Sequence, residues 1–251
     1  MLRLVRRAYV LVLTALLGAG LTAVSAPPAS AATSYRLLFK FVSGETLATG
    51  TRVVDASGKG HHGIVRAAYG GSITRTAGYG GGVAARFPAK CTSASCPNAL
   101  IDVPDFPGLD PGYAAFDFGA KIRMKAADTN DGSNLLQKGL HNDPGGQWKL
   151  QVDGSGGRPS CVISGFRSGT YRAVQVTSSI AVTDDRWHVL MCRRTSTSVQ
   201  ILIDGVVRGS KAMAPVNLAS TARVTVGAKH LTWQDNDQYH GVLDDVWMRL
   251  L

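Results

Sequence analysis

Glutamate is almost missing from this chain of 251 residues, which contains only Glu45. Glycosidases need two carboxyl groups that flank the scissile bond, so aspartate would have to supply both. The pairs Asp184–Asp185 and Asp244–Asp245 are adjacent, and neighbouring residues of a strand point to opposite faces. Asp235 and Asp237 have same-face spacing but lie in a predicted loop. The sequence therefore disfavours a glycosidase.

Other absences narrow the function further. No Gly-x-Ser-x-Gly motif occurs, so nothing indicates a serine hydrolase. No segment shows long helical periodicity, and no apolar run of membrane-spanning length follows residue 31. We therefore expect neither a helical domain nor a membrane anchor.

Residues 1–31 have the pattern of a secretory signal peptide. A basic start with Arg3, Arg6 and Arg7 precedes the apolar run 10–21, and small residues at 29–31 form a cleavage site. The mature chain, 32–251, is expected to be a single secreted domain and a monomer.

Charge gives a weaker indication of the partner. Removal of the leader takes away three arginines and no acid, so the formal charge falls from +10 to +7. A mildly basic secreted protein can prefer anionic polysaccharides. The basic residues are scattered rather than clustered, so we do not expect nucleic acid binding.

Four cysteines remain in the mature chain, an even number that favours two disulfides in a secreted protein. Cys91 and Cys96 are close enough to clip one loop, which leaves Cys161 to pair with Cys192. A zinc site is the alternative, but no second pair has matching spacing.

Alternation and turn residues predict about a dozen strands and no helix. The clearest signal is 185–209, where two apolar runs flank a Ser/Thr turn and Asp204-Gly205 then supplies a second tight turn. The other predicted strands lie near 37–41, 64–65, 83–87, 99–103, 116–124, 134–138, 147–152, 160–164, 172–177, 223–226 and 242–250. This pattern predicts an all-β fold, a two-sheet antiparallel sandwich.

Four stretches in order resemble a known family. They are the glycine-punctuated loop 55–63, the strands 83–124, the Asp-Arg-Trp-His hairpin at 185–205, and the closing strand 239–246. Together they resemble a laminin G-like domain of the concanavalin A-like lectin/glucanase superfamily, in its bacterial secreted form. The resemblance implies a jelly roll that most often binds carbohydrate or protein, although relatives on this scaffold include glycosidases and lyases.

Three functions stay open at this point. The first is a lectin-like module that binds an extracellular or cell-wall glycan. The second is a lyase on uronic-acid polymers, for which Arg172 with Tyr171 and His230 with Tyr239 are available. The third is a protein-interaction domain without a glycan ligand.

Candidate ligand residues follow from the first of these functions. Sugars stack on exposed aromatic rings and are held by nearby polar groups. Trp233 lies among polar residues of a predicted loop, and Trp148 follows a Pro-Gly-Gly turn. The candidate set is Trp233, Trp148, Asp235, His230 and Arg172.

A calcium site is a further expectation. By alternation Asp244 shares a face with apolar residues of the closing strand, so its carboxylate should point to the interior and need a partner. The loop 55–63 offers Asp55 and backbone oxygens of Gly58, Gly60 or His62, which are ligands that suit Ca²⁺. The alternative is that Ser57 and loop amides satisfy Asp244 without an ion.

Overall fold

A computed structural model describes residues 34–251 of the protein, apart from Ala94, Ser155 and Trp233. The predicted leader, residues 1–31, lies outside the described residues. Among the residues described, no helix has the length and hydrophobicity needed to cross a membrane.

The described chain is built from strands, with three single-turn 3-10 helices at Tyr79–Gly81, Pro107–Leu109 and Ala126–Asp128. The strands are β1 (Ser34–Phe39), β2 (Arg52–Val53), β3 (Gly63–Ala68), β4 (Thr74–Ala77), β5 (Val83–Arg86), β6 (Asn98–Val103), β7 (Phe116–Lys125), β8 (Ser133–Lys138), β9 (Gln147–Asp153), β10 (Arg158–Arg167), β11 (Thr170–Thr177), β12 (Asp184–Arg194), β13 (Ser198–Ile203), β14 (Val206–Ala212), β15 (Val224–Val226) and β16 (Val242–Leu250).

These strands form two antiparallel sheets packed face to face. The first sheet has the order β14-β13-β12-β7-β16-β5-β4, with β1 also paired to β16. The second sheet has the order β11-β10-β9-β8-β15-β6-β3-β2. The predicted two-sheet sandwich is confirmed.

The core lies between the sheets because the inward faces alternate with polar outer faces. In β7 the residues Phe116, Phe118, Ala120 and Ile122 are fully buried. Trp148 of β9 packs on Phe118 from the opposite sheet, with ring centroids 4.8 Å apart. Burial of such large apolar side chains contributes about 1.5–3 kcal/mol each to folding.

Both predicted disulfides are bonded in the structure. Cys91–Cys96 clips the loop before β6. Cys161–Cys192 joins β10 to β12 through the core and therefore ties the two sheets together. In the chain-entropy model a link between residues 31 positions apart contributes about 3–4 kcal/mol.

The central hairpin has the predicted turns and an additional contact. Asp204 and Gly205 both take positive φ angles, as a type I′ turn requires. The His188 ring lies between two carboxylates, 2.8 Å from Asp204 and 3.1 Å from Asp184. Partial burial favours the neutral ring, but these carboxylates outweigh it and raise the pKa of His188 above its ordinary value.

We expect this histidine to make stability depend on pH. Its charged form stabilises the fold fully below the unfolded pKa of about 6.5, and the contribution is lost as the pH rises through the higher folded pKa. The unfolding free energy of the protein should therefore exceed that of His188→Gln most at about pH 5.5. Urea denaturation of both proteins between about pH 5 and 9 measures this difference, and a difference that does not change with pH would contradict it.

Candidate functional site

The glycine-punctuated loop closes around the Asp55 carboxylate. One oxygen accepts the N–H groups of Leu38 and Ser57, and the other accepts the hydroxyl of Ser57 and the N–H of His61. Positive φ angles at Gly58 and Gly60 allow the backbone to turn around the side chain. Asp55 therefore holds its own loop against β1 by hydrogen bonds.

Asp244 does not point into the core, contrary to our expectation. A β-bulge at Asp244–Asp245, where Asp245 has a φ of 43°, shifts the alternation of β16. Leu243 and Val246 face the core, and Asp244 lies on the outer face opposite Lys121. Tyr79 covers it there and donates its N–H at 2.9 Å. Burial raises the pKa of the Asp244 carboxyl, and this hydrogen bond only partly opposes the shift.

The predicted calcium ligands are not brought together. Asp55 and Asp244 have separate hydrogen-bond partners, and His62 uses its Nδ1 to accept the N–H of Asp55. Within the described part of the chain, no three acidic, histidine or cysteine side chains are grouped so that they could hold a metal ion. Calcium binding by the set Asp55, Gly58, Gly60, His62 and Asp244 therefore stays a prediction. Ser57 and loop amides bond to Asp55, whereas Asp244 accepts the N–H groups of Tyr79 and Asp245.

Two of the predicted ligand residues, Trp148 and Arg172, do not lie on the outer face of the second sheet. Trp148 is only 2% exposed, because the alternation of β9 turns it into the core between Phe116 and Phe118. Arg172 pairs with Gly165 and lies on the face of β11 opposite the neighbouring Tyr171. Trp233 lies outside the described residues, so its role stays a prediction.

The two residue pairs that could serve a lyase, Arg172 with Tyr171 and His230 with Tyr239, do not form a site for proton transfer either. Arg172 and Tyr171 point to opposite faces of their strand. Tyr239 is fully buried, and its hydroxyl donates to the carbonyl oxygens of Arg123 and Val242. This burial raises the pKa of Tyr239 far above its ordinary value, which makes the residue unsuitable as a general base.

His230 and Asp235 line a groove on the outer face of the second sheet. Three adjoining depressions of about 370, 420 and 660 Å³ share lining residues and form this groove. One row of directly paired residues crosses its floor, namely Gln175, Val162, Lys149, Gln137, Thr225 and Asp102. The described residues of the segment 229–237 form one wall.

Amide and charged side chains dominate the groove floor. Gln137, Gln147, Lys149 and Gln151 are each less than 10% exposed although they lie on the outer face of the sheet. In β9 the alternation of Gln147, Lys149 and Gln151 with Trp148, Leu150 and Val152 is visible in the sequence, and this alternation rather than the aromatic residues indicates the polar floor.

The cations of the groove are paired with carboxylates within it. Lys149 lies 2.6 Å from Asp237, and Lys229 lies 2.9 Å from Asp235 and 3.6 Å from Asp237. At the other end, Arg66 and Arg223 both contact Asp102. The three depressions together are lined by four cations and five carboxylates, so the basic excess of the chain is not found here.

Aromatic rings stand at one end of the groove. Tyr171 packs edge-to-face against Phe166 at 5.4 Å and against His141 at 6.2 Å. His141 lines the groove, and Phe166 is 37% exposed. Among the described lining residues there is no tryptophan, so these three rings and His230 are the aromatic side chains described at the groove.

The comparisons with known proteins agree with the fold. A laminin G-type family model, described as the concanavalin A-like lectin/glucanases superfamily, matches residues 105–249. No curated protein sequence gives a significant match.

Solved structures share the architecture at low identity. Domain 4 of AbnA, a GH43 extracellular arabinanase from Geobacillus stearothermophilus, in complex with arabinotriose, superposes with a TM-score of 0.59 and 16% identity, covering 87% of this chain and 93% of that domain. The binding domain of botulinum neurotoxin DC in complex with rat synaptotagmin II has a TM-score of 0.56 and 13% identity. This match covers 86% of the present chain and 48% of the toxin chain. The same toxin domain in complex with SialylT has a TM-score of 0.54 and 10% identity. This match covers 86% of the present chain and 47% of the toxin chain. This chain therefore spans about half the length of the toxin domains.

The Lys149–Asp237 pair gives a prediction about stability. Asp237→Ala leaves the nearly buried Lys149 ammonium with no partner in the groove floor, which should cost about 1–3 kcal/mol of unfolding free energy. Lys149→Met combined with Asp237→Ala should recover most of this loss, because no uncompensated charge remains. A double-mutant cycle by urea denaturation measures the coupling, and additive losses would show that the two side chains do not interact.

Proposed function

The chain belongs to the concanavalin A-like lectin/glucanases superfamily, and we propose that it is a secreted glycan-binding module whose ligand lies in the groove of the second sheet. The two disulfides support an extracellular setting, since such bonds persist in oxidising compartments. In this proposal the ligand site is the groove, and not the loop 55–63 or the outer face of the first sheet.

The observation that carries the proposal is the row of nearly buried amides and charges on an outer sheet face. Polar groups removed from water need hydrogen-bond partners. Sugar hydroxyls both donate and accept, so a glycan laid across Gln137, Lys149 and Gln151 would satisfy amide and charged groups together. The arabinotriose complex of the AbnA domain and the SialylT complex of the toxin domain are consistent with carbohydrate binding on this fold.

The charges of the groove favour a neutral ligand over the anionic one suggested by the net charge. Lys149, Lys229 and Arg223 each already have a carboxylate partner. An anionic sugar would have to displace these partners or lie beside them. Four cations facing five carboxylates provide no attractive field for a polyanion.

The dependence of binding on salt tests this choice. Exposed charges are screened within about 8 Å at physiological ionic strength, so attraction of a polyanion would weaken strongly as salt is added. We expect the Kd of a bound neutral glycan, found on a glycan array and measured by calorimetry, to change less than about twofold between 50 and 500 mM salt. Preferential binding of uronic-acid polymers that salt abolishes would contradict the neutral ligand.

Tyr171 is the residue we expect to stack on a sugar ring. Stacked aromatic contacts contribute about 0.5–1.5 kcal/mol beyond area burial, so Tyr171→Ala should weaken glycan binding by about 3- to 10-fold with little change in Tm. Tyr35→Ala is the matched control, because Tyr35 is a partly exposed tyrosine of the first sheet. If both variants bind the glycan as tightly as the unaltered protein, the ligand does not contact the end of the groove at Tyr171.

A further inference from the structure

One depression of the groove differs from the rest because its wall is apolar. It has a volume of about 370 Å³ and lies at the β6 and β15 end of the floor. Leu100, Leu140, Ala222 and Leu231 supply the apolar surface, and Gln137 and Thr225 reach into the same depression. The other two depressions are lined chiefly by amide and charged side chains.

The orientation of the Gln137 amide is fixed by its neighbour. Its Nε2 donates to the carbonyl oxygen of Gly139 at 3.2 Å, and Gln147 donates to the same oxygen. If the amide were flipped, the Gln137 Oε1 would face the carbonyl oxygen of Gly139, and two acceptors would be in contact. The remaining Oε1 is therefore an acceptor, and it is buried without a hydrogen-bond partner among the described residues. Gln137 itself is only 3% exposed.

Thr225 adds a second unpaired group beside it. Gln137 and Thr225 are directly paired across β8 and β15, so their side chains stand next to each other on the outer face. The Thr225 Oγ1 is also buried and has no partner within the described part of the chain. A hydroxyl can donate or accept. The lining of the depression therefore contains a fixed acceptor and an adaptable hydroxyl, both buried and without a partner among the described residues, beside an apolar wall.

These three features match an acetamido group. Its N–H can donate to the Gln137 Oε1, its carbonyl oxygen can accept from the Thr225 hydroxyl, and its methyl group can pack on the leucines. An O-acetyl ester has no donor for Gln137, and the methyl group of a deoxysugar has neither polar atom. A carboxylate would bring acceptor oxygens against an acceptor.

We propose that this depression, the acetamido subsite, binds the N-acetyl group of a 2-acetamido sugar within the glycan ligand. The inference rests on the proposed function and goes beyond it by naming the ligand class. The additional buried hydrogen bond and the buried methyl group should make the preference for an acetamido sugar over its parent sugar at least about tenfold.

The test uses the mature protein with both disulfides intact. N-Acetylglucosamine, N-acetylgalactosamine and N-acetylmannosamine are titrated beside glucose, galactose and mannose, and Kd values are obtained from backbone amide shifts in NMR spectra. We expect at least one acetamido sugar to bind about tenfold more tightly than its parent, with the shifts centred on β6, β8 and β15.

Two variants assign the preference to the subsite. Thr225→Val removes only the hydroxyl and suits a strand, and Gln137→Met removes the acceptor at similar volume. Both should reduce the preference to about threefold or less, since one hydrogen bond is lost. Thr74→Val on β4 of the first sheet is the matched control and should retain it. Tm values establish that each variant is folded.

The outcomes separate this inference from the proposed function. Equal binding of parent and acetamido sugars in the groove, or a preference that both variants retain, would overturn the acetamido subsite and leave a glycan-binding groove. The absence of any sugar-dependent shift in the groove, together with a negative glycan array, would overturn both.

Discussion

The ion pair between Lys149 and Asp237 shapes the surface on which the proposed function depends. Lys149 rises from the middle of the second sheet, and Asp237 ends the segment that walls the groove, 2.6 Å away. The backbone oxygen of Asp237 also accepts the N–H of Asn134, so side chain and main chain together fasten this segment to the sheet. Without that attachment the outer face would lack one wall of the groove and would expose its amides to water.

The rest of the sandwich keeps the groove floor in place. Each outward residue of β9 has an inward neighbour in the core, so the packing of Trp148 and Leu150 fixes the orientation of Lys149 and Gln151. The Cys161–Cys192 disulfide ties β10, the next strand of the floor, to the opposite sheet. Arg194 adds a further attachment by donating to the carbonyl oxygens of Val216, Gly112 and Ala114 from a fully buried position. A ligand therefore meets side chains that are already ordered, which lowers the entropic cost of binding.

Much of this architecture is predictable from local patterns. The strands with strict alternation, the Asp204-Gly205 turn and both disulfide pairs follow from residue spacing. The orientation of Asp244 does not, because a β-bulge exchanges the two faces of a strand without changing its composition. For Trp148 the prediction was wrong in the opposite direction. The Pro-Gly-Gly turn before it suggested an exposed side chain, but the alternation of β9 turns this residue into the core. The groove itself depends on pairing between distant strands, such as Gln137 with Thr225, and no single segment indicates that they are neighbours.

The position of the bound glycan is the most direct test of this account. The measurement is a titration of ¹⁵N-labelled mature protein with a neutral glycan selected on an array, followed by backbone amide shifts. We predict saturable shifts on the outward positions of β8, β9, β10 and β15 and in the segment 229–237. Shifts confined to the loop 55–63, or to the outer face of the first sheet around Trp247 and Lys121, would contradict it.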